Sequence, residues 1–438
     1  MSKLVPFSDL FDIPLRNGVT KPKKIRGEGY KMVNMGELFA NPIIDNIQMD
    51  RVPLTETEKN SLLKPKDLLF ARQSLIRSGA GQCSIFMDDA EDVCFESHII
   101  RCRLHKDKAN PLFYFYLFKS NYGREIMDPI IEQGAGASGI RGSDLSKLQV
   151  PYVELDKQNF IAEQLYDLDR KIQLNTQINQ TLEQIAQTIF KSWFIDFDPV
   201  YAKANALANG QTAEQATQAA MAVISGKNTQ ELHRLQTANP EQYQQLWEIA
   251  DAFPSGFDEE GVPRGWEERY LKDVCNIVYG KNLPTSELKE QGYPVFGGNG
   301  VIGFYDKYLY DKPHTLVSCR GAASGKVIYS LPNSFVTNNS LVIEHSKSYL
   351  SSFYVYEALS IQNLTKLTSG SAQPQMTIAN MNPVQIIVPT EKAHSLYFNF
   401  VKGIYDKKLY GLYENEVLSK IRNELLPKLL SGEILNGN

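Results

Sequence analysis

Cysteine is scarce in this sequence and shows no pattern. Cys83, Cys94, Cys102, Cys275 and Cys319 are five in 438 residues, an odd number without a C-x-x-C pair. That spacing argues against a disulfide framework or a zinc ribbon and fits a reducing compartment. The six histidines (98, 105, 233, 314, 345 and 394) are scattered, with no pair at metal-ligand spacing. The opening MSKLVPFSDL has no apolar signal core and no run reaches membrane-spanning length, so a cytoplasmic chain with no membrane partner is expected. A G-x-S-x-G elbow is missing, as is the Asn/Asp-Pro-Pro-aromatic signature of an adenine methyltransferase. No catalytic residue, metal or cofactor is therefore expected in this chain.

Charge of one sign is also lacking. The net charge is −4, and it is unevenly spread. Residues 1–155 hold 21 basic and 20 acidic side chains, residues 156–265 hold 8 and 15, and residues 266–438 hold 17 and 15. The acidic excess sits in the middle and leaves the outer blocks free to carry local basic faces.

What is present is a long internal repeat. Gln158–Phe194 and His394–Leu430 share a helical pattern at a constant offset of 236, with Leu165 opposite Val401, Leu182 opposite Leu418, and Phe190 opposite Leu426. Upstream, LQVPYVE (148–154) parallels IIVPTEK (386–392), YFYLFKS (114–120) parallels YVYEALS (354–360), and ARQSLIRSGAGQCSI (71–85) resembles SCRGAASGKVI (318–328). Each copy is a strand-rich block, with short β-branched and aromatic runs between Gly, Pro and Asn, followed by a long helix. The first helix carries a heptad seam through Leu165, Leu168 and Ile172, then Asn175 and Asn179, then Leu182, Ala186, Ile189 and Trp193. A polar step in such a seam fixes register, and Asn415 stands opposite Asn179 in the repeat. Two such helices pair most simply antiparallel, holding the blocks apart. The expected fold is α+β: two β-rich domains separated by two long, antiparallel, coiled-coil-like helices in a pseudo-twofold repeat. Its segments are 1–155, a helix at 156–196, a connector at 197–265 with a helical stretch over 201–225, a second block at 266–389, a helix at 390–432 and a tail at 433–438.

Two glycine motifs invite a nucleotide-binding reading and fail it. Gly134-Ala-Gly136-Ala-Ser-Gly139 follows no buried strand, is expected to lead toward Pro151 rather than into a helix, and has no counterpart in TSGSAQPQ (368–375). Gly321-Ala-Ala-Ser-Gly325-Lys326 is one residue short of a phosphate loop and lacks the following Ser/Thr.

Three stretches resemble the specificity subunits of type I restriction–modification enzymes. They are IFKSWFIDFDPV (189–200) followed by VPRGWEE (262–268), FGGNGVIGFYD (296–306) with CRGAASGKV (319–327), and IRNELLPKLLSGEI (421–434). The resemblance covers nearly the whole chain and is weakest over residues 1–60 and the connector. It implies a non-catalytic, host-defence subunit whose two target-recognition domains each read half of a bipartite double-stranded DNA sequence. The helices then set the spacer and dock two modification subunits, which bind S-adenosylmethionine and methylate adenine. Two restriction subunits using ATP and Mg can join them. Candidate DNA contacts are polar residues of the glycine-rich loops, namely Arg72, Arg77, Ser78 and Arg141 in the first block. In the second they are Lys281, Asn299, Arg320, Lys326 and Gln373. Candidate docking residues are Phe190, Trp193, Leu426 and Leu429. The competing readings are a free-standing two-domain DNA-binding regulator, a nucleotide-dependent enzyme using the Gly134 loop, and a coiled-coil scaffold.

Overall fold

The computed structural model describes residues 3–431 except 135, 371 and 372, with the side chains of 426 and 429–431 also set aside. The tail expected at 433–438 lies outside the described residues. The chain divides into two compact units, Met1–Asn175 with Tyr413–Asn438, and Thr176–Leu412. The division falls inside both long helices, Leu155–Phe194 and Glu391–Ser431.

In unit 1 a five-stranded sheet runs in the order Phe11–Asn17, Ile99–Leu104, Asp67–Ala71, Cys83–Asp88, Ile43–Asp45. A three-stranded sheet pairs Tyr30–Val33 antiparallel with Asp50–Val52 and parallel with Val93–Phe95. Lys3–Pro6 pairs with Gln149–Tyr152 just before the first long helix. Unit 2 repeats this topology. Its four-stranded sheet is ordered Asn276–Tyr279, Ser340–Glu344, Thr315–Ser318, Val327–Tyr329. Tyr293–Gly297 lies antiparallel to Gly300–Tyr305 and parallel to Phe335–Val336, and Glu267–Tyr270 pairs with Gln385–Val388.

The local causes are shared too. Helix Pro111–Lys119 starts on Asn110, whose side chain accepts from the Leu112 N–H, and has Pro at its first position. Its residues 112–118 are all buried, as expected of a helix that is apolar all round. Helix Ser352–Ser360 starts on Ser351 in the same way. Glycine is required at one equivalent point of each unit. A Cβ on Gly18 would lie 2.0 Å from the Phe95 carbonyl oxygen, and one on Gly280 would lie 2.3 Å from that of Thr337. No side chain fits either place.

The long helices pair antiparallel within each unit. In unit 1 the Arg422 guanidinium reaches Asp169 at 2.6 Å, Asn175 Nδ2 donates to Asn415 Oδ1 at 3.0 Å, and Asn415 Nδ2 donates to the Ile172 carbonyl at 3.3 Å. In unit 2 Asn179 Nδ2 donates to the Lys408 carbonyl at 3.2 Å, and Lys408 pairs with Glu183. The bonds from Asn415 and Asn179 are related by the same 236-residue offset, so the polar step of the seam is doubled. Gly411 faces Asn179 at a point where a Cβ would lie 2.8 Å from its Oδ1.

Residues 197–265 are more than a linker. The helical stretch expected over 201–225 is two helices, Asp198–Ala208 and Ala213–Ser225, and Thr229–Ala238 and Pro240–Asp251 follow. They share a small core of Ala220, Met221, Leu232, Leu246 and Ala250. The buried Lys203 ammonium caps the last helix, donating to the carbonyls of Ala250, Asp251 and Phe253. Among the described residues no helix is long and apolar enough to cross a membrane, and no group of His, Cys, Asp or Glu could hold a metal ion.

Candidate DNA interface

In unit 1 the sequence-predicted contacts converge on one loop cluster. Strand Gln73–Ser74 pairs with Ser138–Gly139, which pairs with Glu132–Gln133, and the 3-10 turn Arg77–Gly79 sits beside them. Ser138 and Gly139 of the G-x-G-x-x-G stretch thus form the middle strand of a ribbon. A six-residue helix, Gly142–Lys147, does follow it, contrary to expectation. No buried strand leads into the motif, so the dinucleotide reading still fails.

The four candidates there do different work. Arg77 is a brace, since its guanidinium donates to the carbonyls of Asp128 at 2.9 Å and Ile131 at 3.1 Å. Arg72 donates to the Ser97 carbonyl at 3.4 Å. Arg141 is 68% exposed and pairs with Glu132 at 2.7 Å, while Ser78 is exposed at the tip. Sequence reasoning missed Arg124, which donates to the carbonyls of Arg77, Ser78 and Ala80 and so holds the turn. It stands 43 residues beyond the end of the glycine-rich run at 81, and nothing in the motif points to it.

Unit 2 gathers its candidates similarly. Asn299 lies in the hairpin between Tyr293–Gly297 and Gly300–Tyr305 and accepts from Lys326 Nζ at 2.6 Å. Arg320 opens the turn Gly321–Ala323 and bridges to Gln375, closing the loop that presents Gln373. Lys281 bridges to Thr337, and Cys319 N–H donates to the Asn339 carbonyl, so the 337–339 segment joins these loops. The Lys281, Arg320, Lys326 and Gln373 side chains are exposed.

The docking candidates need correction. Phe190 and Trp193 are 1% and 2% exposed, packed among Phe194, Phe253, Tyr354 and Tyr397. Burial of that much aromatic surface makes them the core of unit 2, and they cannot form an exposed docking face. The side chains of Leu426 and Leu429 lie outside the described residues. Exposed apolar positions elsewhere on the helices include Leu174 and Ile185 on the first, and Tyr410, Val417 and Ile421 on the second, each 43–60% exposed. Leu174 and Tyr410, and likewise Ile185 and Ile421, are repeat equivalents.

Two duplicated modules, each with a basic glycine-rich loop cluster and each ending in a long helix, are matched by a family model. It is the type I restriction modification DNA specificity domain, and it matches residues 2–184 and 263–406. The chain belongs to the type I specificity-subunit family. The specificity subunit of the type I restriction enzyme HindI from Haemophilus influenzae is 31% identical over 438 residues, covering 92% of this chain and 94% of that one. The MjaIX specificity subunit of Methanocaldococcus jannaschii is 24% identical over 351 residues, covering 75% and 70%. The crystal structure of a type I restriction–modification S subunit from M. genitalium has the same fold, with a TM-score of 0.56 at 17% identity and coverage of 98% and 96%. The four-helix segment between residues 197 and 262 falls outside the family match.

Proposed function

We propose that unit 1 and unit 2 each read one half of a bipartite double-stranded DNA target, and that the chain works as a non-catalytic subunit in the cytoplasm. The observation that carries this reading is the doubled module: one topology twice, with one loop cluster twice but different side chains on it. Arginine and lysine position such a surface on phosphates, and Asn, Gln, Ser and Arg at base edges choose sequence. Arg72, Arg141, Ser78, Lys281, Asn299, Arg320, Lys326 and Gln373 are the proposed contacts, with Arg77 acting through the turn it braces. The paired helices set the spacer and dock two modification subunits, with the exposed Val417 and Ile421 of unit 1 as docking positions. S-adenosylmethionine is bound by those partners, and ATP and Mg by two restriction subunits where the full enzyme forms.

The test is reconstitution with the modification subunit, followed by mapping of methylated adenines. A bipartite target is expected, and exchanging residues 266–389 for those of a relative should change one half of it. The chain alone should neither methylate DNA nor bind S-adenosylmethionine. Methyl transfer by the isolated chain, or both half-sites changing together, overturns the reading.

A further inference from the structure

The two units close their recognition turns with the same backbone bonds. Ala71 N–H donates to the Gln82 carbonyl and Gly81 N–H to the Ala71 carbonyl, both at 2.8 Å. In unit 2 Ser318 donates to Lys326, and Gly325 to Ser318, both at 2.9 Å. Gly81 and Gly325 both hold a positive φ, 74° and 88°. Between these anchors unit 2 has six residues (319–324) and unit 1 has nine (72–80). The extra length carries Leu75 and Ile76.

Leu75 is 88% exposed and Ile76 64%, and no other large apolar side chain among the described residues is as exposed. A lone exposed aliphatic needs no explanation. This pair is held on a rigid mount, by Arg124 on three carbonyls of the turn and by Arg77 on two more beneath it. Gly79 packs so tightly under the turn that a Cβ would lie 2.2 Å from Ser74 Oγ. The surroundings are cationic. Arg124 and Arg141 pair with Asp128 and Glu132, while the bonds of Arg72 and Arg77 go to backbone carbonyls and leave their charge unmatched. An apolar tip ringed by excess positive charge suits a polyanion with apolar groups inside its grooves. The thymine 5-methyl is the apolar group that a base pair presents in the major groove.

We infer that Leu75 and Ile76 form an apolar probe that enters the DNA groove and reads thymine methyl groups in the half-site of unit 1. Unit 2, with Gly321-Ala322-Ala323 at the same place, reads its half without one. This rests on the DNA-reading assignment above.

The test compares the native chain with an L75A/I76S variant, each assembled with its modification subunits. Methylated sites are mapped, and binding is measured to duplexes carrying uracil in place of thymine. Both side chains face solvent, so the variant should melt as the native chain does. It should relax one or two thymine positions of the first half-site and keep the second half-site. Thymine-to-uracil replacement should weaken native binding about fourfold, the factor that burying one methyl supplies, and the variant by less than about 1.5-fold. Four results overturn the inference: an unchanged target, an equal loss on all sequences, loss of subunit assembly, or a first half-site with no thymine outside the methylated A·T pair. Absence of any bipartite target for the native complex would instead bring down the DNA-reading assignment itself.

Discussion

Gln158 and His394 occupy the same place in the two units, 236 residues apart near the start of each long helix. Gln158 Oε1 accepts from the Asn110 N–H at 2.8 Å, and His394 Nε2 accepts from the Ser351 N–H at 2.9 Å. Both are buried, and each ties the cap of the domain helix to the long helix. One acceptor is an amide and the other an imidazole whose pKa burial depresses to about 4. A second contrast lies nearby. Unit 1 joins Tyr116, Asp169 and Arg422 in a chain of hydrogen bonds. Unit 2 places Tyr405, the repeat equivalent of Asp169, against the buried Glu357, whose pKa burial raises to about 7. Duplication has kept the backbone geometry and replaced the chemistry that seals it, so the units should answer differently to the same perturbation.

The harshest way to separate them is at the glycines. Gly18→Val should unfold unit 1, and Gly280→Val unit 2, each at a cost above about 4 kcal/mol because backbone must move. Limited proteolysis should show the other unit still protected; equal loss of both would mean that the two do not fold as separable modules. Next comes the aromatic core. Trp193→Ala should cost unit 2 about 3–5 kcal/mol, whereas Ile421→Ser should stay within about 0.5 kcal/mol and weaken assembly with the modification subunits. Calorimetry and size-exclusion on both variants check this, and a folded Ile421→Ser chain that assembles normally would remove that face from the docking surface.

The gentlest probe is pH. His394 has its folded pKa depressed from 6.5 to about 4, so its contribution is fully present above pH 6.5 and is lost as pH falls toward 4. Glu357, raised from 4.5 to about 7, has the opposite sign: its protonated form is favoured in the fold, and stability declines as pH rises from 4.5 to 7. The two partly cancel in the native chain. His394→Gln, which installs the solution used in unit 1, should therefore gain about 2 kcal/mol relative to native between pH 7 and pH 5. Melting curves at the two pH values with no relative change would mean that the imidazole is not sealed from water.

The repeat, the long helices and the polar step in their seam were legible because each leaves a periodic trace: heptad spacing, a fixed offset, matched prolines. The loop clusters were legible as glycine-rich runs. Individual roles inside them were not, because they depend on distant partners. Arg77 looks like a free surface cation in RQSLIRSG, and the carbonyls that hold it, those of Asp128 and Ile131, come from a segment more than forty residues on. Phe190 and Trp193 exceed what a two-helix seam needs, which suggested a docking face. The surplus is absorbed by Tyr354, Tyr397 and Phe253, contacts that no local pattern encodes. The helices between residues 198 and 251 were partly missed because Ala/Gln-rich sequence signals helix without showing what it packs on.

The composition of unit 1 bears on how the chain matures during synthesis. Unit 2 is one uninterrupted stretch, Thr176–Leu412, while unit 1 needs Tyr413–Asn438 as well. A ribosome delivers the C-terminal segment last, so the block translated first waits for its second helix while the block translated after it can close at once. Until Arg422 and Asn415 arrive, Asp169 and Asn175 lack the partners that the second helix brings, although Ile161, Ala162 and Leu165 can already pack into the core of the first domain. A nascent chain stalled near residue 412 would thus hold a first domain with a packed core and an unpaired polar seam, and a premature stop there would cost that domain its helix pairing while sparing the second.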